Sequence, residues 1–277
     1  MSDGATGPLC GVVLAAGYGT RLRPLTLRRP KALCPVGNVP LVDLALDRLA
    51  RLGLRGPDRV AVNASWLGEQ VRDHVAGRAR VSIEGEPPLG TAGALGRLRD
   101  WIDGRDVLVA NADAYLAGGD LAGLLAGWDR RTVRLLGVPA PPGAPDAFGG
   151  YRVAGLSLLP WRWVSGLAAR PDELVRAVWR PAEAAGGARV IPFTGWFRDT
   201  GTPGDYLAAN LHAAGGGNLI AQDATVTGPC RQAVVGAGAV VHGALTRSVV
   251  WPGGRVAAGE HLVGAVRAGA DLTVTVA

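Results

Sequence analysis

Lysine is nearly missing from this chain. Of its 29 basic residues one, Lys31, is a lysine and the rest are arginines, so the chain does not use lysine for general surface charge. Cysteine is also scarce: Cys10, Cys34 and Cys230 are odd in number and far apart. That excludes a disulfide framework or a zinc set and points to a reducing, cytoplasmic compartment. No run of about 18 apolar residues occurs, so no membrane-spanning helix is expected, and Met1–Gly7 lacks a signal-peptide pattern. Long charge runs are absent, and with 48% apolar and 19% charged residues disorder is excluded. The four histidines, His74, His212, His242 and His261, show no ligand spacing. A net charge of +6 rests on scattered arginines without an aromatic–basic module. This argues against nucleic acid and suits a small polyanionic ligand.

What is present is alternation. Leu9–Leu14 is a short apolar run that reads as a buried strand entering a loop at Ala15-Ala16-Gly17. Leu41–Leu52 carries apolar residues at a helical period. Strands at Arg59–Val62, Val81–Glu84, Asp106–Ala110 and Val153–Leu159 are interleaved with helices at Trp66–Val75, Thr91–Leu98 and Pro171–Trp179. Leu121–Trp128 and Thr132–Val138 continue the series. Such alternation predicts an α/β fold with a mostly parallel sheet and ligands at the strand C-terminal ends. Pro139–Gly150 is rich in proline and glycine and reads as a loop.

After a helix at Gly204–Ala214, Gly215-Gly216-Gly217 reads as a hinge. Beyond it aliphatic residues recur every six positions: Ile220 and Val226, Val235 and Val241, then Val250, Val256 and Leu262, with one phase slip between Val226 and Val235. Hexads of this kind predict a parallel β-helix of about three coils. A glycine- and valine-rich antiparallel sheet is the alternative. The expected domains are therefore 1–215, a catalytic domain, and 218–277, a hexapeptide-repeat β-helix.

The glycine-rich turn after the first strand carries the chemistry. In Gly17-Tyr18-Gly19-Thr20-Arg21 the glycines let backbone amides approach phosphate oxygens, and Thr20 adds a hydroxyl donor. Arg21 and Lys31 add positive charge for a phosphorus centre and its leaving group. Leu22 stands where a dinucleotide fingerprint needs its third glycine, and no Gly-Lys-Ser/Thr of a Walker loop occurs.

The whole segment Leu14–Leu41 (LAAGYGTRLRPLTLRRPKALCPVGNVPL) resembles the signature of sugar-1-phosphate nucleotidylyltransferases. Further segments in order resemble that family's later motifs. Glu86–Leu95 is similar to its second nucleotide loop. Val109–Asp113 is similar to a strand end carrying a metal-binding aspartate, and Trp196–Pro203 to a motif carrying a second.

The resemblance implies a Rossmann-like nucleotidyltransferase (glycosyltransferase-A-like) domain followed by a short left-handed parallel β-helix. It implies that Leu14, Ala15, Ala16 and Gly17 line base and ribose, with Gly90 and Thr91 opposite. Gly19, Thr20 and Arg21 would hold the triphosphate, and Lys31 the α-phosphate. Asp113 and Asp199 would bind Mg²⁺, although each also has an ordinary use in capping a turn or helix. Gly155, Arg152 and Glu86 fall on the sugar side. Trp161 and Trp163 are expected to pack around that strand. The implied reaction joins an NTP to a sugar-1-phosphate with release of pyrophosphate, in a homo-oligomer.

Two features depart from the family. Ala32 follows Lys31 where proline is usual, and no second lysine exists to bind the sugar phosphate. Arg152 is the candidate substitute, in a region, Ala140–Tyr151, too short for the usual hairpin. Asn63–Gly68 is similar to N-acetylmuramate-1-phosphate uridylyltransferases, whereas Gly90–Gly93 and the hexads favour mannose-1-phosphate guanylyltransferases. GTP is slightly favoured over UTP. A different phosphate acceptor, such as phosphocholine, and a non-catalytic regulatory homologue are the other readings.

Overall fold

The computed structural model describes residues 9–276; the segment Met1–Gly7 read above lies outside them. By internal contacts the chain forms two compact units, neither continuous in sequence. The first comprises residues 9–18 and Val42–Phe197, the second Gly19–Leu41 and residues 198–276. Gly215-Gly216-Gly217 lies within the second.

The first unit is built on strands β1 (Leu9–Leu14), β2 (Val60–Ala64), β3 (Arg80–Ile83), β4 (Asp106–Asn111), β5 (Val133–Pro139), β6 (Tyr151–Leu159) and β7 (Ala188–Pro192). They form one sheet in the order β7-β5-β6-β4-β1-β2-β3. β1 pairs in parallel with β2 and β4, β2 with β3, and β5 with β7; β6 alone runs antiparallel, between β4 and β5. The sheet is thus mostly parallel, as expected. Continuous apolar runs such as Cys10-Gly11-Val12-Val13 suit strands covered on both faces, and Cys10, Val12 and Val13 are fully buried.

Helices α1 (Leu41–Arg51), α2 (Gly68–Val75) and α3 (Gly90–Ile102) connect the parallel strands. The apolar stripe of α1 explains its packing: Leu41, Val42, Ala45 and Leu49 are all fully buried. A Cβ on Gly11 would lie 2.7 Å from a Leu49 methyl, so the bare glycine lets the helix settle close on β1. Full burial of a leucine such as Leu49 is worth about 1.5–3 kcal/mol.

Two expected helices are altered. Leu121–Trp128 holds only a 3-10 turn at Ala122–Leu124, since Gly123 and Gly127 weaken a longer helix. Pro171–Trp179 begins as irregular backbone and becomes a π-helix only at Val175–Trp179, continuing as a short α-helix at Arg180–Ala184. The reason is a contact with another element. The Asp172 carbonyl accepts the amide of Ala92 (3.0 Å) rather than an amide of its own turn.

In the second unit, helix α4 (Pro203–Ala213) starts at Thr202, whose hydroxyl accepts the amide of Asp205 at 3.2 Å, with proline in the first turn. The chain then forms short strands in three parallel ladders. Leu219 pairs with Val234 and Val234 with Val249, a repeat of 15 residues rather than three full hexads. The phase slip is thereby explained: between Val226 and Val235 the short strand Cys230–Arg231 forms a third, narrower side. Val235, Val241, Val250, Val256 and Leu262 point into a common core, whereas Ile220, on the first rung, is 41% exposed. An antiparallel pair, Ala265–Ala268 with Leu272–Thr275, closes the far end.

Candidate functional site

In the first unit the C-terminal ends of β1, β2 and β3 bring their loops together. A cavity of about 680 Å³ opens there, lined by Leu14, Ala16, Gly17, Gly90 and Thr91 among others. Its volume lies in the range of small-ligand sites. Five residues expected at the nucleotide therefore share one cavity. Ala15 is not among the lining residues, and its backbone amide is taken by Asn63.

That backbone is held by residues with no role assigned from sequence. Asn63, at the end of β2, accepts the amides of Ala15 (2.7 Å) and Ala16 (3.3 Å), while Ser65 accepts that of Gly17 (2.9 Å). The Asn63 side-chain amide donates to Glu84 (2.7 Å), whose other oxygen accepts the amide of Leu89 (2.8 Å). One buried carboxylate thus links the Ala15-Ala16 backbone, through Asn63, to the Leu89 amide. The available signal was a polar residue inside an otherwise apolar buried strand, Val60-Ala61-Val62-Asn63-Ala64. Glu84→Gln should leave a donor facing a donor, at about 1–3 kcal/mol, because Asn63 cannot flip without losing Ala15 and Ala16. The expected result is a lower melting temperature together with a raised KM for nucleotide, read by thermal unfolding and steady-state kinetics.

Asp113 stands in the turn between β4 and the strand Ala114–Ala117, so no helix follows it and it is not a helix cap. Arg48 of α1 is buried behind it. Burial pushes the Arg48 guanidinium down to about 10, and the nearby charge of Asp113 opposes that shift. Gly155 takes φ +73°, and a Cβ there would lie 2.2 Å from that of Ala114. Only glycine lets β6 pass so close to the Asp113 turn.

Glu86 is exposed. Arg152 is exposed on β6, with its guanidinium 5.6 Å from the centre of the Phe197 ring. Trp161 and Trp163, expected around the strand Val153–Leu159, pack on a core cluster that contains Leu159. They form a short helix after β6, packed on the core, and the Trp161 amide donates to Asp106 at the opposite end of β4 (2.7 Å). Because β6 is antiparallel, its C-terminal end lies away from the cavity.

In the second unit the signature loop carries its own geometry. Gly19 adopts φ +59° at the start of the 3-10 turn Thr20–Leu22, and its carbonyl accepts the Thr26 hydroxyl (2.8 Å). The Lys31 ammonium lies 3.5 Å from Asp199, and the Arg21 guanidinium 3.8 Å from the other oxygen of the same carboxylate. The Lys31 side chain is only 15% exposed, against 68% for Arg21. A Cβ on Gly201 would stand 2.8 Å from the Arg21 guanidinium, so this glycine lies against the Arg21 side chain. The helix cap in this motif is Thr202, which leaves Asp199 to the two cations.

The loop is fastened at its far side. Asn210 of α4 accepts the amide of Gly37 (3.0 Å), and Asn38 donates to the Val235 carbonyl (3.0 Å). The fully buried Tyr206 hydroxyl donates to the Pro35 carbonyl and accepts the Trp251 indole N–H (2.9 Å). Tyr206→Phe should orphan both partners and destabilise this unit by about 1–3 kcal/mol, measurable by denaturant unfolding.

Among the described residues no group of three or more His, Cys, Asp or Glu side chains could hold a metal by itself. Single carboxylates of hard oxygen suit Mg²⁺, which takes one or two of them and draws its other ligands from phosphates and water. No helix among the described residues is long and apolar enough to cross a membrane. All three cysteines are free, and burial raises Cys10 and Cys34 to about 12.

The Nucleotidyl transferase family matches residues 10–152. A candidate mannose-1-phosphate guanyltransferase of Sulfolobus acidocaldarius is 28% identical over 72% of this chain and 62% of its own length. An N-acetylmuramate alpha-1-phosphate uridylyltransferase of Caulobacter vibrioides is 35% identical over 44% of this chain and 54% of its own. The chain thus spans little more than half the length of these relatives. A candidate glucose-1-phosphate thymidylyltransferase structure from Bacillus anthracis shares the fold, with a TM-score of 0.63 at 20% identity, over 74% of this chain and 95% of that one.

Proposed function

The chain belongs to the nucleotidyl transferase family, and from that premise we propose that it transfers a nucleoside monophosphate from an NTP to a sugar-1-phosphate, releasing pyrophosphate. The observation that carries this reading is the cavity shared by Leu14, Ala16, Gly17, Gly90 and Thr91.

In the reaction a phosphate oxygen of the sugar attacks the α-phosphorus of the NTP, and the bond from that phosphorus to the β-phosphate oxygen breaks. The first unit binds base and ribose, with its loops held by Asn63 and Glu84. In the second, Gly19, Thr20 and Arg21 take the β- and γ-phosphates and Lys31 the α-phosphate. The contacts of Asp199 with Lys31 and Arg21 are long and partly exposed, so they contribute little stability and are readily exchanged for phosphate oxygens. Positioning and charge neutralisation then suffice, without a covalent intermediate. Asp113 and Asp199 each offer a carboxylate to Mg²⁺, which when bound neutralises phosphate charge.

Gly155 gives the acceptor room beside the Asp113 turn, with Arg152 and Glu86 on the acceptor's side. GTP with mannose-1-phosphate is the favoured pair, and UTP is the second reading, supported by the 35% identity to a uridylyltransferase. The stacked short strands are read as a left-handed parallel β-helix whose first rung, with Ile220 exposed, supports a homo-oligomer that sedimentation velocity would detect. Three free thiols agree with a cytoplasmic enzyme. Pyrophosphate release with each NTP against a panel of sugar-1-phosphates tests the reading. Turnover should require Mg²⁺.

A further inference from the structure

The segment Pro171–Arg176 walls the nucleotide cavity, and Glu173 is fixed within it. The Asp172 carbonyl accepts the Ala92 amide (3.0 Å) and its amide donates to Leu89 (3.0 Å). Glu173 Oε2 accepts both the hydroxyl (2.6 Å) and the amide (3.2 Å) of Thr91, and that hydroxyl accepts the amide of Leu174 (2.7 Å). Glu173 Oε1 makes no hydrogen bond to any described residue, although Glu173 lines the cavity. Gly90 adopts φ +69°, and a Cβ there would meet the Asp172 carbonyl at 2.5 Å and this oxygen at 2.7 Å, so glycine lets the segment lie directly on the loop. The neighbouring Asp172 accepts Arg176 (2.8 and 3.0 Å) and the Glu173 amide (2.7 Å) on its Oδ1.

Resting on the nucleotidyltransferase reading, we infer that Glu173 reads the base and selects guanine. An ionised carboxylate only accepts. Guanine presents two adjacent donors, its ring N1–H and its 2-amino group, which a carboxylate can accept as a charge-assisted pair. Oε2 is filled by its two contacts with Thr91, so Oε1, with both lone pairs open, is the oxygen that accepts this pair. Uracil and thymine offer one N–H flanked by carbonyl oxygens, which face the carboxylate acceptor to acceptor. Adenine and cytosine set a bare ring nitrogen beside their single amino group, with the same conflict. Arg176, at the same cavity, supplies a donor for the guanine 6-carbonyl.

The full-length protein is assayed with GTP, ITP, UTP, dTTP and ATP, and Mg²⁺-dependent binding of each nucleotide is measured separately by calorimetry. The wild type should prefer GTP, and should lose affinity for ITP, which lacks the 2-amino group. Glu173→Gln should lower the GTP-to-UTP ratio of affinity and of kcat/KM by about 10–100-fold, with Glu173→Asp between the two. A purely structural role would weaken all nucleotides by one factor, and that result would overturn the inference, as would a wild-type preference for UTP. Glu173-dependent guanine binding without turnover would uphold the inference and sink the proposed reaction. Turnover whose base preference ignores Glu173 would do the reverse, and no nucleotide binding at all would remove both.

Discussion

Lys31→Arg is expected to lower kcat by about a hundredfold or more, although the charge is unchanged, by analogy with removal of one transition-state donor. The chain uses arginine at every other basic position, so this lysine is the natural place to ask what a compact ammonium does that a guanidinium cannot. Its side chain is only 15% exposed and starts beside Gly19, whose own Cβ would come within 3.4 Å of that of Lys31. Ala32 and Cys34, which follow it, are buried. A wider, planar group in that space must turn toward the already occupied Asp199 carboxylate. The loss should fall on kcat more than on KM, since charge at the α-phosphorus grows only in the transition state. Steady-state kinetics read it, with an unchanged thermal unfolding curve as control. Activity near wild type would show that arginine suffices.

The second large effect concerns the aspartates. Asp199→Ala and Asp113→Ala are each expected to abolish Mg²⁺-dependent turnover, a loss of at least about a thousandfold for several kcal/mol of charge stabilisation. The two differ in what remains. Removing Asp199 leaves Lys31 and Arg21 without the carboxylate between them, so nucleotide binding should persist or tighten while chemistry stops. Removing Asp113 takes away the charge that opposes the burial cost of Arg48, so this variant should also melt lower. Calorimetric nucleotide affinity beside the rate separates these outcomes. Turnover within tenfold of wild type in either variant would remove that aspartate from the reaction.

How much of this was legible in the sequence depended on range. β1 and α1 follow from local pattern alone, and both begin where the apolar residues indicate. The cavity residues Leu14, Gly17, Gly90 and Thr91 sit in short motifs that travel with their loops. The Pro171–Trp179 helix was misread because its first carbonyls serve another element, a choice no local period records. What holds the signature loop was equally hidden. Gly37 finds Asn210 across 173 residues and Asn38 finds Val235 across 197. The hexad pattern marked the short strands but hid their 15-residue pairing, because the strand Cys230–Arg231 interrupts it between Val226 and Val235. Glu84 and Asn63 escaped because each is polar for the sake of the other, and the pair exists only once β2 and β3 lie side by side.

The central claim is nucleotidyl transfer to a sugar-1-phosphate, and pyrophosphate release across the NTP and sugar-1-phosphate panel tests it most directly. The account predicts Mg²⁺-dependent pyrophosphate formation with at least one pair, strongest with GTP, and equal amounts of an NDP-sugar product. No pyrophosphate with any pair, from protein that is folded and binds nucleotide, would contradict it.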